Sequence, residues 1–532
     1  MPDGPDSAMP AELSPAVASA RGQSLTALLR RSARRHGDRL AVVCGETSWT
    51  YAEFEGVVER LAAGLANAGI GKGDRVALFA RNSHAFAALR FAAARANAVL
   101  VPINFMLNAG DIEYILNHSG AKLLFVDAST VDVALAADRS AVETIFGIPG
   151  ETTPPPLQVP SWDTLRTDDV PPPCLSGGDD LLQLIYTSGT ESKPKGAMLS
   201  HGAVLWEYQS CIIDCEWTPD TVAVHAMPLF HCAQLDCMLG PALQVGACNV
   251  ITGNPAASNI IGLLAKHRAT SFFAPPTVWI AILRSPELEG ADLSSLEKGY
   301  YGASIMPVEV LRELQERFPA IRLWNLYGQT EIAPVASVLR PEEHEGRLGS
   351  AGRPTQHVET RIVDDDMNDV ATGEIGEIVH RSPQLLSGYW NDPERTAAAF
   401  AGGWFHSGDL GWMDADGFIT VVDRKKDMIK SGGENVASRE VEEAIYRHPA
   451  VSEVAVIGLP DPKWVEAVTA VVVLRPGCHS KVEDLMEHCA ANLSGFKRPK
   501  AIHITETLPR NASGKILKRE LRLSMLESRE AV

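Results

Sequence analysis

Between residues 181 and 327, short β-rich runs alternate with stretches patterned at helical spacing. LLQLIYT precedes a helix opening at Ser200, TVAVHAM precedes one near 234–243, and TSFFAPP leads into TVWIAIL. KGYYGAS is followed by a helix begun by Pro307 over VEVLRELQERF, and RLWNLYG closes the series. Such alternation predicts a mostly parallel sheet flanked by helices. Ligands of such sheets gather beyond the carboxyl ends of the strands, and three loops at 186–196, 302–304 and 327–331 follow predicted strands at that end.

Upstream, Ser24 followed by Leu25, Leu28, Leu29 and Ala33 gives an apolar stripe at helical spacing, with Arg30, Arg31, Arg34 and Arg35 mostly on the other side as a solvated face. Residues 1–20, rich in Pro, Ala, Ser and Asp, read as a poorly ordered tail, and the Pro-rich stretch over 152–180 as a surface connection. After 345 the texture changes to short strands, VETRIV, EIGEIVHR and FITVVD, joined by Gly- and Asp-rich turns, which predicts antiparallel pairing over 345–425. Beyond 426 comes a small α+β pattern with a helix over SREVEEAIYRH, strands VSEVAVIG and AVTAVVVL, a helix near 482–493, and AIHIT. The expected organisation is a tail (1–20), a large N-terminal domain (21–425) and a C-terminal domain (426–532), with the boundary at Arg424–Lys426.

Composition narrows the function classes. Apolar residues make up 45% and charged residues 21% of 532 residues, which fits an enzyme-sized globular protein of about three structural units and excludes wholesale disorder or a coiled coil. The formal charge of −18 disfavours general attraction to nucleic acid or anionic lipid. Nine cysteines without paired zinc-type spacing read as free thiols. A start lacking both a basic region and an apolar stretch, and no apolar run of about 18 residues, lead to the expectation of a cytoplasmic protein without a transmembrane segment.

The chemistry concentrates in YTSGTESKPKG at 186–196. A strand end here runs into hydroxyls, glycines and two lysines, a set able to cradle a polyphosphate, although it lacks the GxxxxGK[ST] spacing of the common P-loop. A surface turn is the plain alternative. YGQTE at 327–331 offers an aromatic face for a base and a carboxylate for a hard metal ion. HSGDL at 406–410 offers Asp409, able to accept two hydrogen bonds from a ribose diol, and NASGKI at 511–516 offers Lys515 as a point charge. Each alone has an ordinary turn or helix start as its bland reading.

Together and in this order, with GAS at 302–304, WFHSGDLGWMDADGF and DRKKDMIKSGGENV, they make the chain resemble the adenylate-forming superfamily of acyl-CoA synthetases, luciferases and peptide-synthetase adenylation domains from about residue 24 to 522. The resemblance implies an α/β fold, with mostly parallel sheets and a β-barrel-like subdomain in the large domain and a mobile α+β C-terminal domain. It implies ATP, Mg2+ and CoA as the small molecules handled. Lys195 falls near the pyrophosphate within a phosphate loop that includes Ser188, Gly189, Thr190 and Glu191. Thr187 and Glu331 fall where the family binds magnesium. Ala303, Ser304 and Tyr327 match adenine-binding positions, with Gly328, Gln329 and Thr330 in the same segment. Asp409 matches the ribose-binding position, Arg424 a second nucleotide contact, Lys515 the adenylating lysine, Lys426 the hinge and Gly433 the glycine lining the thiol's path. Glu191-Ser192 departs from the family's Thr-Gly, and Glu191 is expected to point away from phosphate or towards the metal.

Phe230-His231 stands where amino-acid-activating relatives carry an aspartate, which argues against an α-amino acid substrate. His231, Cys232, Leu235 and the 272–279 region are expected at the acyl site, His231 among the catalytic residues, while plain core is the alternative for Phe272, Phe273, Val278 and Trp279. The expected activity is ATP-dependent synthesis of an acyl-CoA from a medium- or long-chain fatty acid. Alternatives are a short-chain or aryl acid, transfer to a carrier protein, and a non-catalytic ATP-binding regulator. A homodimer is compatible with the sequence but not indicated by it.

Overall fold

A computed structural model describes residues 17, 20–187, 193–304, 306–510 and 516–530, without the side chains of 528–530. Residues of the expected 1–20 tail lie almost entirely outside that set, as do Ser188, Gly189, Thr190, Glu191 and Lys515.

The first described helix, Leu25–His36, is capped by Ser24, whose hydroxyl accepts from the amide of Ala27. Its Leu25, Leu28, Leu29 and Ala33 are buried while its four arginines face water, as the stripe predicts. Two sheets form the large unit. A six-stranded sheet runs in the order Thr144–Gly147, Ala121–Val126, Arg75–Phe79, Val99–Ile103, Leu181–Thr187, Lys195–Ser200. It is parallel except for the final hairpin, in which Thr187 lies opposite Lys195. A nine-stranded sheet holds Leu40–Cys44, Cys248–Ile251, Val222–His225, Ser271–Ala274, Lys298–Gly302 and Arg322–Gly328 in parallel, with antiparallel strands at both edges. The strands expected over 181–327 are present and mostly parallel, but they do not form one sheet: Leu181–Thr187 pairs with Val99–Ile103 in the six-stranded sheet, and the later strands lie in the nine-stranded one.

The antiparallel region is a four-stranded sheet ordered Glu359–Val363, Gly376–Arg381, Phe405–Met413, Ile419–Arg424. The last part of the chain builds a further sheet on the long hairpin Val451–Asp461 and Val465–Leu474, to which Ala501–Thr505 adds in parallel. Helices Ser438–Tyr446 and Val482–Asn492 pack together beside it. No described helix is long and apolar enough to cross a membrane.

Candidate active site

The strand ends flagged by the sequence are joined by side chains. The ammonium of Lys195 lies 2.9 Å from Oε1 of Glu331, on the short turn Thr330–Ile332. Tyr389 fastens both: its hydroxyl is 2.7 Å from Lys195 Nζ and donates to Glu331 Oε1 at 2.9 Å, and Lys195 Nζ stands 4.1 Å from the Tyr389 ring centre. Tyr389 is held there because segment 386–390 lies along the hairpin, with Met198 donating to Gly388 O, Trp390 to Gly196 O and Leu386 to Glu331 O. Burial and the Glu331 charge push the Tyr389 phenol above its ordinary pKa, so it stays a donor.

The turn itself depends on Gly328. A Cβ there would sit 1.9 Å from the carbonyl oxygen of Pro334, which is the acceptor for the Gln329 amide. Thr187 ends its strand opposite Lys195, and its hydroxyl oxygen is buried without a hydrogen-bond partner among the described residues.

At the other end of the site the Tyr327 hydroxyl donates to Asp409 Oδ2 at 2.7 Å. Asp409 faces Arg424 across the antiparallel register, with Nε 3.5 Å from Oδ1. Burial and the Asp409 charge push the Tyr327 phenol well up. Lys426 stands exposed close by, its pKa lowered first by desolvation from the surrounding protein and then by the Arg424 charge, with Asp409 opposing and Lys195 adding to the shift. Lys426 thus feels both ends of the pocket. Ala303 and Ser304 follow the strand Lys298–Gly302, whose neighbour ends in Tyr327 and Gly328, and Ala303 has a left-handed φ of +61°. Gly433 lies on the exposed hairpin turn between Ile429–Ser431 and Glu434–Val436, away from these contacts.

Next to the 327–331 turn, Cys232 reaches Thr330 Oγ1 at 3.4 Å, and His231 Nδ1 accepts from the amide of Ala233, capping the short helix Cys232–Gln234. Cys232, Leu235, Phe272 and Trp279 are fully buried, and the Trp279 indole donates to the carbonyl of Tyr300. These four pack as core in the structure.

Sequence reasoning passed over two features. Tyr389 occurs in LLSGYWN, where nothing in the local pattern signals a role. The second is a buried network: Arg90 donates to Asp236 Oδ1 at 2.5 Å and also to Gln183, Gln183 Nε2 donates to Asp236 Oδ2 at 2.7 Å, and all three are essentially inaccessible. Its signal was present, since each interrupts an apolar run: HAFAALRFAAAR, LLQLIYT and AQLDCML.

Residues 29–390 match the family model for AMP-binding enzymes, and residues 440–515 match the model for the AMP-binding enzyme C-terminal domain. This chain belongs to the AMP-binding enzyme family. Feruloyl-CoA synthase from an Amycolatopsis species is 38% identical over 94% of this chain and 99% of its own length. The long-chain-fatty-acid–CoA ligase FadD13 of Mycobacterium tuberculosis is 35% identical over 89% and 92%. Among solved structures, the anthranilate CoA ligase AuaEII in complex with anthranoyl-AMP superimposes with a TM-score of 0.88 at 26% identity, covering 94% of this chain and 97% of that one. By family and relatives the AMP-binding enzyme described here is an AMP-forming acid–thiol ligase.

Proposed function

We propose that the chain activates an aromatic carboxylic acid with ATP and transfers the acyl group to the thiol of CoA. A carboxylate is a poor electrophile, because its charge repels nucleophiles and its leaving group is oxide. Attack of the carboxylate on the α-phosphate of ATP expels pyrophosphate and leaves an acyl-adenylate, and the thiol then displaces AMP. The protein's part is to position the reactants and neutralise charge.

The observation that carries the reading is the Lys195–Tyr389–Glu331 cluster set against the buried hydroxyl of Thr187, which has no hydrogen-bond partner among the described residues. Thr187 Oγ1 and the Glu331 carboxylate are hard oxygen donors at the mouth of one hairpin, a set that suits Mg2+, which when bound would neutralise phosphate charge. Lys195 then serves the pyrophosphate oxygens. Tyr327, Ala303 and Ser304 hold the base, while Asp409, fixed by Tyr327 and Arg424, accepts from the ribose diol. Lys515, matched by resemblance, bridges carboxylate and phosphate oxygens during adenylation, and Lys426 is the hinge about which the C-terminal unit turns to admit the thiol along Gly433.

An aromatic acid is supported by the 38% identity to feruloyl-CoA synthase and by the likeness to the anthranilate ligase. The fatty-acid reading is second, favoured by the 35% identity to the long-chain ligase. A panel of cinnamic, benzoic and aliphatic acids in pyrophosphate–ATP exchange, with free CoA as acceptor, separates them. Exchange with aromatic acids and CoA consumption are expected. Exchange confined to aliphatic acids selects the second reading, and ATP binding without any exchange rejects both.

A further inference from the structure

We infer that Asp423 and Arg439 are positioning residues that lock the C-terminal unit in the orientation seen here, and so set how the enzyme divides its time between its two half-reactions. The inference rests on the proposed two-step reaction and adds to it a specific pair of contacts.

Asp423 is the residue before Arg424, on the strand that faces Asp409, so it is fixed to the nucleotide side of the hinge at Lys426. Its Oδ2 nevertheless accepts two hydrogen bonds from beyond that hinge: from the amide and from the hydroxyl of Ser438, both at 2.7 Å and both buried. Those groups open the helix Ser438–Tyr446, the first helix of the C-terminal unit. The Asp423 carboxylate therefore satisfies an orphan donor at that helix start from across the hinge, where a local side chain ordinarily does so.

The next residue, Arg439, repeats the crossing. Its guanidinium donates to the carbonyl of Val421 and, at 3.1 Å, to the carbonyl of Gly349, while Glu443 on its own helix pairs with its Nε at 2.9 Å. A second set of bonds ties this anchor to the rest of the C-terminal unit: Lys518 Nζ donates to Ser438 Oγ at 2.6 Å and pairs with Glu442 at 2.8 Å. Lys518 opens the helix that follows the NASGK segment by a few residues. Movement of that part of the chain relative to the hinge is thus coupled to the Asp423 contact.

Around these bonds the junction is open. A cleft of about 690 Å3 lies between the two sides, walled by Leu348, Gly349 and Val421 on one and Ala437, Arg439 and Glu443 on the other. Beside such a void, directional bonds from charged groups fix the orientation more sharply than the apolar packing that also spans the junction, because they tolerate less displacement. Interfaces of this type have discrete alternatives and do not deform continuously. Turning the C-terminal unit about Lys426 has to break the Asp423–Ser438 and Arg439–carbonyl bonds together, because both partners of each pair lie on opposite sides of the hinge.

The test uses the full chain and its two half-reactions measured separately: pyrophosphate–ATP exchange with an accepted acid, and thioester formation from supplied acyl-adenylate and CoA. Asp423→Asn and Arg439→Ala are each compared with the parent, with Arg439→Lys as a milder second variant and thermal unfolding to confirm folding. Both substitutions are expected to change the ratio of the two rates by about tenfold or more, in the same direction, as losing a charge-assisted bond from one of two balanced orientations does. A general loss of stability lowers both rates alike and leaves the ratio in place. Ratios within tenfold of the parent's, or shifts of opposite sign in the two variants, overturn the lock. If the parent itself shows neither half-reaction with any acid, it is the proposed function that fails.

Discussion

The ammonium of Lys195 lies 2.9 Å from the carboxylate of Glu331, on a hairpin and a turn that belong to different sheets. The Tyr389 hydroxyl touches both and holds them at that separation. Tyr389→Phe keeps the ring beneath Lys195 but removes the bonds to two charged groups, each worth about 1.5–3 kcal/mol. The expected result is a fall of about tenfold or more in the pyrophosphate-exchange rate, with the thermal unfolding midpoint lowered by a few degrees at most because the Lys195–Glu331 pair remains. An exchange rate equal to the parent's would show that Lys195 and Glu331 are positioned without the hydroxyl.

How much of this was legible beforehand depends on the kind of residue. Thr187, Lys195, Tyr327 and Glu331 stand at strand ends whose alternation with helices can be read directly, and the structure brings Lys195 and Glu331 into contact from two different sheets. Asp409 and Arg424 are far apart in the pattern and meet because the antiparallel register places them face to face. Tyr389 is invisible to such reading, since a tyrosine in a loop has no periodicity and its partners are set by how segment 386–390 lies on the hairpin. Arg90, Gln183 and Asp236 were visible as polar interruptions of apolar runs, yet which of them pair is a tertiary fact. Phe272 and Trp279 show the reverse: an apolar run does not distinguish a pocket wall from core, and both are core.

The Arg90–Asp236 pair allows a stability prediction. Both side chains are essentially buried, so removing one charge leaves the other desolvated and unpaired. Burial alone pushes the Asp236 carboxyl upward, opposed by the Arg90 charge and by the bonds from Gln183 and Tyr208. Asp236→Asn is expected to cost about 3–5 kcal/mol in urea unfolding, and the double replacement Arg90→Met with Asp236→Leu less than either single change. A double variant that costs the sum of the two single changes would mean that the pair does not act as a unit.

Acid sensitivity follows from two deeply buried imidazoles. His225 is bonded to Asn249 and Gln234, His380 to Thr360, and burial lowers each to about 4 from an ordinary 6.5. Below pH 6.5 the unfolded chain binds these protons and the folded chain does not, so stability falls as the pH drops from 6.5 towards 4 and is unaffected by these groups above 6.5. The slope approaches about 1.4 kcal/mol per pH unit for each imidazole. In urea titrations between pH 7 and 4.5, His380→Gln should flatten that slope by about one such increment. An unchanged slope would mean that His380 is protonated in the folded state.

The last prediction separates the thiol step from adenylation. Gly432 and Gly433 form the two-residue turn of the hairpin Ile429–Ser431 and Glu434–Val436, with φ of +64° and +89°. Such primed turns need left-handed backbone at both central positions, where a residue with a Cβ costs about 1–2 kcal/mol. Around Gly433 a Cβ would meet no atom within 4 Å, so the cost is conformational and local, with no clash to spread it. Gly433→Ala should therefore lower the unfolding midpoint by only a few degrees while displacing the tip of the turn. If the thiol passes this turn, thioester formation from supplied acyl-adenylate falls by about tenfold, the change that a small misplacement in a reactant's path produces, and pyrophosphate exchange stays close to the parent's. Loss of both rates together would instead point to a distortion reaching the nucleotide pocket, and retention of both would remove Gly433 from the thiol's route.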